Sequence, residues 1–208
     1  EKTVPPPLYT LQDAHECLQQ VRGIEYDREF APRVGVRARF RDAGHILGSA
    51  IMEVWVTEYG YSTKLVFSVH LGQPGRPILR DPTTIEDADI LVIESTYGNR
   101  QHKDFSATEE EMIGIVEKTL FERGGNVIVP AFAVGRTQEI LYHLHRLTYE
   151  GRLRQPKVFV DSPMATQATR ITREHLELFD EQAKRLAGWH ARGENLPYLS
   201  FTASAEES

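Results

Sequence analysis

The chain has 208 residues, of which 40% are hydrophobic and 26% are charged, and its formal net charge is −6. This composition indicates a globular protein with one good-sized core or two small ones, and it argues against disorder and against nucleic-acid binding through bulk positive charge. The single cysteine, Cys17, excludes an internal disulfide framework and a cysteine zinc cluster. Because no run of about 18 apolar residues occurs, we expect no membrane insertion, and we expect a cytoplasmic protein.

The first half of the chain has the pattern of a short helix followed by a sheet. Thr10 is expected to cap a helix that runs to about Gln20. Alternating apolar residues then predict three strands, at residues 34–40, 49–56 and 64–69, which short turns join into an antiparallel meander. A further strand, residues 88–95, is apolar throughout, so we expect it to be central in the sheet.

From Ser106 onwards the apolar period changes to that of helices. A helix capped by Ser106 is expected at residues 107–125. The elements that follow it are a buried strand at 126–131, a helix at 135–147, a strand at 157–162 and a helix at 163–179. This alternation is typical of parallel βαβ packing. We therefore expect two domains, at residues 1–105 and 106–208.

His45 is the first candidate for chemistry, in the segment DAGHILGSA at residues 42–50. Its flanking glycines let the backbone bend sharply at a strand exit and present the imidazole. Two more apolar strands end in polar and glycine residues, in FSVHLGQPGRPIL (67–79) and IESTYGNRQH (93–102), so the three strand ends suggest one shared site. A lone loop histidine is more often structural, and the residues alone leave that alternative open.

Two predicted strand-to-helix turns are candidates for phosphate binding. Gly135 and Arg136 stand at the first turn, and Asp161 and Ser162 stand at the second. Free amides and the positive end of a helix dipole can hold an anion at such turns. The same geometry occurs in many turns that bind nothing, and Asp161 could equally cap its helix. Two clusters of basic residues, within 33–41 and 146–157, are either basic faces or solvated surface.

Taken in order, these segments resemble the metallo-β-lactamase-fold nucleases of the β-CASP group, which includes ribonuclease J and the endonuclease subunit of the cleavage and polyadenylation specificity factor. The resemblance continues through NVIVPAFAVGRTQEILYHL (126–144), VFVDSPMA (158–165) and FTASAEES (201–208). It implies an α/β chain, in which the second half of an α+β sandwich of the metallo-β-lactamase type precedes the start of a parallel-sheet β-CASP domain. The family's opening HxHxDH motif and its two late histidines are absent, so we expect an internal fragment of a longer protein.

The resemblance also assigns roles to individual residues. It makes His45 a metal ligand, and it makes Glu94 the family's catalytic acidic motif, which orients a late histidine, although capping of nearby amides is an alternative. His70 stands where the family has an aspartate that bridges two metal ions, and Val69 stands where it has glycine. A neutral imidazole offers one lone pair, so His70 either binds a single zinc ion or belongs to a degenerate site without a second metal. Gly135, Arg136, Asp161 and Ser162 would face the RNA groove.

The function that the resemblance implies is hydrolysis of phosphodiester bonds in RNA, for processing or decay, by an enzyme with two zinc ions. This chain by itself is expected to be inactive. The alternative is a non-catalytic scaffold of the same fold, which binds RNA or protein with a degenerate metal site, and the His70 replacement favours it. DNA as the substrate is not excluded, whether the protein is an enzyme stays undecided, and further copies of the chain or subunits of a processing complex are possible partners.

Overall fold

The computed structural model describes residues 7–101, 103–190 and 198–202, with the backbone alone over 186–190. Residues 203–208, which end the segment FTASAEES, lie outside the described residues. The first part of the chain holds helix α1 (Leu11–Leu18) and strands β1 (Glu29–Arg33), β2 (Val36–Asp42), β3 (Ala50–Glu58), β4 (Tyr61–Phe67) and β5 (Ile90–Val92). The second part holds α2 (Phe105–Val116), α3 (Arg136–Tyr149), β6 (Val158–Val160), α4 (Pro163–Glu174), α5 (Glu181–His190) and β7 (Leu199–Phe201).

The first five strands form one sheet in chain order. Strands β1 to β4 are antiparallel neighbours, and β5 pairs with β4 in parallel. The register of the central hairpin brings Glu58 opposite Tyr61, so a tight turn joins β3 to β4. Thr10 caps α1 by accepting a hydrogen bond from the amide of Asp13. The predicted helix cap and the predicted antiparallel meander are therefore confirmed.

The second part alternates helices with short strands. Helix α2 continues into a π-helical segment, Glu117–Glu122, and a single 3₁₀ turn, Leu176–Leu178, separates α4 from α5. Strand β6 pairs in parallel with β7. Pro163 occupies the first turn of α4, as expected of a residue whose missing amide hydrogen costs nothing there. The strand predicted at 157–162 is confirmed as β6, but its parallel partner is β7 rather than the predicted strand at 126–131. The domain boundary between residues 105 and 106 stays a prediction.

Two strand predictions are wrong. Strand β5 lies at an edge of the described sheet rather than in its centre, and Ile90, Leu91 and Val92 are each about half exposed. Residues 126–131 form no strand, and Ile128 is 87% exposed. A run that is apolar on both faces forms a buried strand only where neighbouring strands satisfy its backbone groups. Among the described residues, β5 has one such neighbour and segment 126–131 has none.

The cap of α2 also differs from the prediction, because Asp104 occupies that position instead of Ser106. The Asp104 carboxylate accepts hydrogen bonds from the amide of Ala107 and from the hydroxyl of Ser106. Asp and Ser are similarly good N-caps, so residue type alone does not determine which of the two begins the helix. The position of the chain reversal before α2 determines it. None of the helices within the described residues is long and apolar enough to cross a membrane.

Three buried clusters hold the elements together. One lies between the first sheet and the loop that follows β4, a second joins that loop to α3 and α5, and a third packs α2 against α3. Their buried members are Ala43, Ile51 and Val66; Ile78, Phe179 and Ala183; and Val116, Leu147 and Leu153. The loop after β4 thus packs against both parts of the chain.

A buried carboxylate lies on the first sheet. Glu53 on β3 is 2% exposed and pairs with Arg39 on β2 and Lys64 on β4, at 2.8 Å each. The guanidinium of Arg39 and the ammonium of Lys64 also lie 5.3 and 5.5 Å from the centre of the Trp55 ring. Two cations therefore neutralise the buried charge, and an aromatic face stabilises both cations.

Candidate functional site

Two loops bring His45 and His70 to one place. His45 lies on the loop after β2, and His70 lies on the loop after β4. The amide of Gly72 donates to the carbonyl of Ala43 at 2.8 Å. A Cβ atom added to Gly72 would lie 1.9 Å from the carbonyl oxygen of Gly44, so no larger residue permits this approach. The glycines that flank the histidines are thus the direct cause of their proximity.

The two imidazole rings are stacked, with centres 5.5 Å apart and planes inclined by 14°. Both histidines are exposed. Two imidazoles that share a tetrahedral zinc ion at the usual Zn–N distances have ring centres about 5 Å apart. The ring spacing of His45 and His70 is close to this value, and the prediction that these strand ends meet is confirmed for this pair.

Glu94 lies on the exposed loop after β5 rather than at the end of a buried strand. Its carboxylate accepts a hydrogen bond from the amide of Thr96 at 2.8 Å. Hydrogen bonds from the backbone and side chain of Thr96 hold the pKa of Glu94 below its usual value, and His70 and His45 lower that pKa further. Glu94 is therefore an ionised group within electrostatic reach of both imidazoles, and it also caps a nearby amide.

The donors that the structure brings together do not complete a zinc site. Zinc takes four ligands in structural sites, and three from the protein in catalytic sites. Within residues 7–101, 103–190 and 198–202, no group of three or more His, Cys, Asp and Glu residues is arranged to hold a metal ion. His45 and His70 provide two donors, and His70 offers one lone pair where a carboxylate would offer two oxygens.

Val69, immediately before His70, has a strained backbone. Its φ angle is +43°, in the left-handed region that disfavours a side chain branched at Cβ, and the residue is 58% exposed. The resemblance had placed a glycine at this position, and the observed φ angle explains why glycine suits the turn.

We expect the substitution Val69→Gly to stabilise the protein by up to about 1 kcal/mol. The relief of about 1–2 kcal/mol of strain exceeds the roughly 1 kcal/mol that glycine adds to the entropy of the unfolded chain. Urea denaturation of the wild type and of this variant measures the difference. Val69→Ala is the control, since alanine keeps the Cβ atom and most of the strain. A lower stability of Val69→Gly than of Val69→Ala would contradict the prediction.

The beginning of α3 lies against the His45 loop. Gly135 precedes this helix with a φ angle of +84°, and a Cβ atom added to it would lie 2.8 Å from Cγ2 of Ile46. The first amides of the helix are already engaged, because Gly135 donates to Oε1 of Gln138 at 2.7 Å and Arg136 donates to the carbonyl of Val134. The guanidinium of Arg136, which is about half exposed, is therefore a better phosphate-binding candidate than these amides.

The turn at Asp161 and Ser162 has a structural role. Ser162, rather than Asp161, caps α4, because its hydroxyl accepts from the amide of Ala165 at 3.2 Å and its carbonyl accepts from Thr166. Thr166 in turn donates to the carbonyl of Thr202 at 3.0 Å. These contacts stay within the second part of the chain, so they give no support to a position of this turn beside the histidines.

Three arginines in each predicted basic cluster pair with carboxylates. In the first cluster the ion pairs are Arg37 with Glu29, Arg39 with Glu53 and Arg41 with Asp27. In the second cluster they are Arg146 with Glu109 and Glu150, Arg152 with Glu109 and Glu110, and Arg154 with Glu117. A phosphate at either cluster would have to compete with these partners, so solvated or paired surface is the better interpretation.

An open cleft of about 620 Å³ lies between the loop after β4 and helices α2, α3 and α5. His143 on α3 is one of its lining residues and is 8% exposed. Burial lowers the pKa of His143, so the ring is neutral at pH 7. Its two nitrogens are shielded from solvent and accept or donate no hydrogen bond within the described part of the chain. His143 therefore presents no accessible metal-binding atom.

Sequence reasoning missed two charged residues beside the site. Arg76, on the loop after His70, pairs with Glu139 on α3 at 3.1 Å, and Glu139 also pairs with Arg136 at 2.6 Å. The spacing of three residues between Arg136 and Glu139 is the one signal that could have identified part of this group.

Comparison with known proteins agrees with the earlier resemblance. Residues 137–208 match the Beta-Casp domain. The chain is 36% identical over 183 residues to Ribonuclease TTHA0252 of Thermus thermophilus, covering 88% of the chain and 41% of that protein. It is 29% identical over 181 residues to an RNase J-like protein of Methanocaldococcus jannaschii, covering 86% of the chain and 42% of that protein.

A third relative is named for transcription termination. The chain is 30% identical over 196 residues to the Transcription termination factor FttA of Methanosarcina mazei, covering 89% of the chain and 28% of that protein. The chain thus spans less than half the length of all three relatives. The similarity extends across both parts of the chain, including the loops that carry the histidines.

Proposed function

This chain is related to the β-CASP group of RNA-processing nucleases, and we propose that the whole protein hydrolyses phosphodiester bonds in RNA with the help of bound zinc. The observation that carries this proposal is the His45–His70 pair, whose ring centres are 5.5 Å apart beside the ionised Glu94. Zinc, when bound, would polarise the phosphoryl oxygens and lower the pKa of a bound water. The proposal concerns the whole protein, since the described residues provide only two of the imidazole donors.

Each residue of the site has a distinct part in this proposal. His45 and His70 would each donate one ring nitrogen to the same ion. Glu94, whose pKa is lowered by hydrogen bonds from Thr96, would remain negatively charged. It would orient a neighbouring group by accepting a hydrogen bond from it. The Arg136 guanidinium, beside the His45 loop, would neutralise a phosphate of the RNA strand.

We further propose that His70 limits the site to one zinc ion, although two are expected for the family. A bridging carboxylate can bind two ions through its two oxygens, whereas a neutral imidazole has one lone pair. The first sheet would be half of a metallo-β-lactamase sandwich. The single cysteine supports a cytoplasmic location. RNA is the proposed partner, with further copies of the chain or subunits of a processing complex as additional ones.

We expect the whole wild-type protein to contain one zinc ion per chain and its His70→Asp variant to contain two, with RNA cleavage at least about tenfold faster in the variant. Inductively coupled plasma mass spectrometry measures the metal, and a labelled RNA oligonucleotide measures cleavage. His15→Asp is the matched control, because His15 lies on the exposed helix α1 and the substitution is chemically the same. Two zinc ions in the wild type would contradict the one-ion proposal, and no zinc in either protein would contradict the hydrolase proposal.

The second candidate function is a non-catalytic scaffold that binds RNA. The observation in its favour is the replacement of the bridging carboxylate by His70, which removes a negative charge from the metal site. The same experiment separates the two functions. A wild-type protein that binds RNA without cutting it, together with a His70→Asp variant that gains both metal and cleavage, would support the scaffold.

A further inference from the structure

Glu139 on α3 holds one arginine from each part of the chain. Its Oε2 atom lies 2.6 Å from the guanidinium of Arg136, one helical turn earlier, and its Oε1 atom lies 3.1 Å from the guanidinium of Arg76. Arg76 follows His70 on the loop after β4, and its remaining nitrogens donate to Gln73 on the same loop. A single carboxylate therefore links the beginning of α3 to the loop that carries His70.

The group lies at the beginning of α3, which is close to the His45 loop. Gly135 contacts Ile46, the residue after His45, so the first turn of α3 and the His45 loop are in direct contact. The side chain of Glu139 is 19% exposed, whereas that of Arg136 is 53% exposed. The carboxylate is thus largely shielded behind the guanidinium, and the guanidinium has a free side toward solvent.

A phosphate that approaches Arg136 must compete with Glu139. Ion pairs with one exposed partner contribute little stability, because water screens them and the side chain must be ordered. The pair therefore weakens phosphate binding without preventing it. Its strength also depends on Arg76, because the two guanidinium groups share the same carboxylate.

We propose that Glu139 is a positioning residue that tunes the affinity of Arg136 for RNA phosphate, and that it couples this affinity to the loop of His70 through Arg76. The inference rests on the proposed function, since it assumes that RNA is the ligand. It assigns a role to two residues, Glu139 and Arg76, that contact each other across the two parts of the chain but would not contact the reacting bond.

The test measures binding of the whole protein to a 2′-O-methyl RNA oligonucleotide by fluorescence anisotropy across a series of salt concentrations. In Glu139→Gln the guanidinium of Arg136 loses its competitor. We expect affinity at low salt to rise about threefold to tenfold, and the dependence of log affinity on log salt to steepen by about 0.7, the value for one further phosphate contact with a single strand. The double variant Glu139→Gln/Arg136→Gln is expected to lose both gains.

The matched control is Glu150→Gln. Glu150 is the C-cap residue of α3, at the opposite end of the helix from Arg136, and it pairs with Arg146 at 3.1 Å. The substitution therefore removes the same kind of ion pair at a distance from the beginning of α3. We expect no change in its salt dependence. Weaker binding by Glu139→Gln with an unchanged salt slope, or a gain that persists in the double variant, would overturn the inference alone. Absence of RNA binding by the wild type would overturn the proposed function with it.

Discussion

The substitution Gly72→Ala is expected to destabilise the protein by about 3 kcal/mol and to separate His45 from His70. The added Cβ atom would lie 1.9 Å from the Gly44 carbonyl oxygen and 2.9 Å from that of Ala43. These are backbone atoms, which cannot move aside as a flexible side chain would. The two loops must therefore part, and the hydrogen bond from the Gly72 amide to Ala43 is lost with them.

Urea denaturation measures the stability of this variant. Zinc content of the whole protein, measured at the same time, reports whether the proposed metal site survives the substitution. Gly23→Ala is the control, because a Cβ atom at Gly23 meets nothing within 4 Å. We expect the control to differ from the wild type by less than about 0.5 kcal/mol. A Gly72→Ala protein with wild-type stability would show that the loops tolerate a larger separation than the structure indicates.

The second large effect is expected at the buried carboxylate of the first sheet. Glu53→Ala should destabilise the protein by about 3–5 kcal/mol, because it leaves Arg39 and Lys64 without their shared partner. Lys64 retains Asp87 at 2.9 Å, but the Asp87 side chain is largely exposed and compensates the ammonium poorly. Loss of the carboxylate also leaves the positive charges of Arg39 and Lys64 beside Trp55 without the negative charge that they share.

The control for this variant is Glu29→Ala on strand β1, which lies two strands away from β3 in the same sheet. Glu29 pairs with Arg37 at 2.8 Å, but both side chains are about half exposed, so we expect a loss below about 1 kcal/mol. Urea denaturation at pH 7 compares the two variants. Equal losses in both would show that the burial of Glu53 contributes nothing to the strength of its ion pairs.

The effect of Glu53 should depend on pH. Burial raises the pKa of this carboxyl, but hydrogen bonds from Arg39 and Lys64 outweigh burial and leave the pKa below its usual value. The stabilisation is therefore complete above the unfolded-state pKa of about 4.3 and is lost as the pH falls through the lower, folded-state pKa. The difference in stability between the wild type and Glu53→Gln should accordingly shrink below about pH 4.

The sequence predicted most of the first sheet because half-buried antiparallel strands alternate apolar and polar residues. Strand β1 was missed, since EFAPR has little alternation and contains Pro32. Segment 126–131 was predicted as a strand and is not one. Its apolar composition is compatible with a strand, but composition does not show that a partner strand is present. Pairing depends on a neighbour that local sequence does not identify. Similarly, apolar residues on both faces of β5 predicted a central position in the sheet. In the described sheet β5 pairs with β4 alone, so it lies at the edge.

The candidate site was predictable where it depends on local backbone geometry. The glycines around His45 and His70 indicated sharp loops, and the structure brings these loops together. Glu139 and Arg76 were not predictable in the same way, because they are 63 residues apart and no periodicity relates them. The amides before α3 were expected to be free, but the side chain of Gln138 returns to the amide of Gly135. A single sequence does not reveal such a competitor.

The loop behind His70 is fastened by residues that lie about a hundred positions further along the chain. Leu79 forms a bridge with Phe179, and the amide of Asp180 donates to the carbonyl of Ile78 at 2.8 Å. During synthesis β1 to β5 can pair once β5 has left the ribosome, whereas Ile78 lacks its buried partners Phe179 and Ala183 until about residue 183 emerges. The segment around Ile78 therefore becomes ordered late in translation, and conditions that slow elongation through the second part should prolong the interval in which this segment is open to proteases.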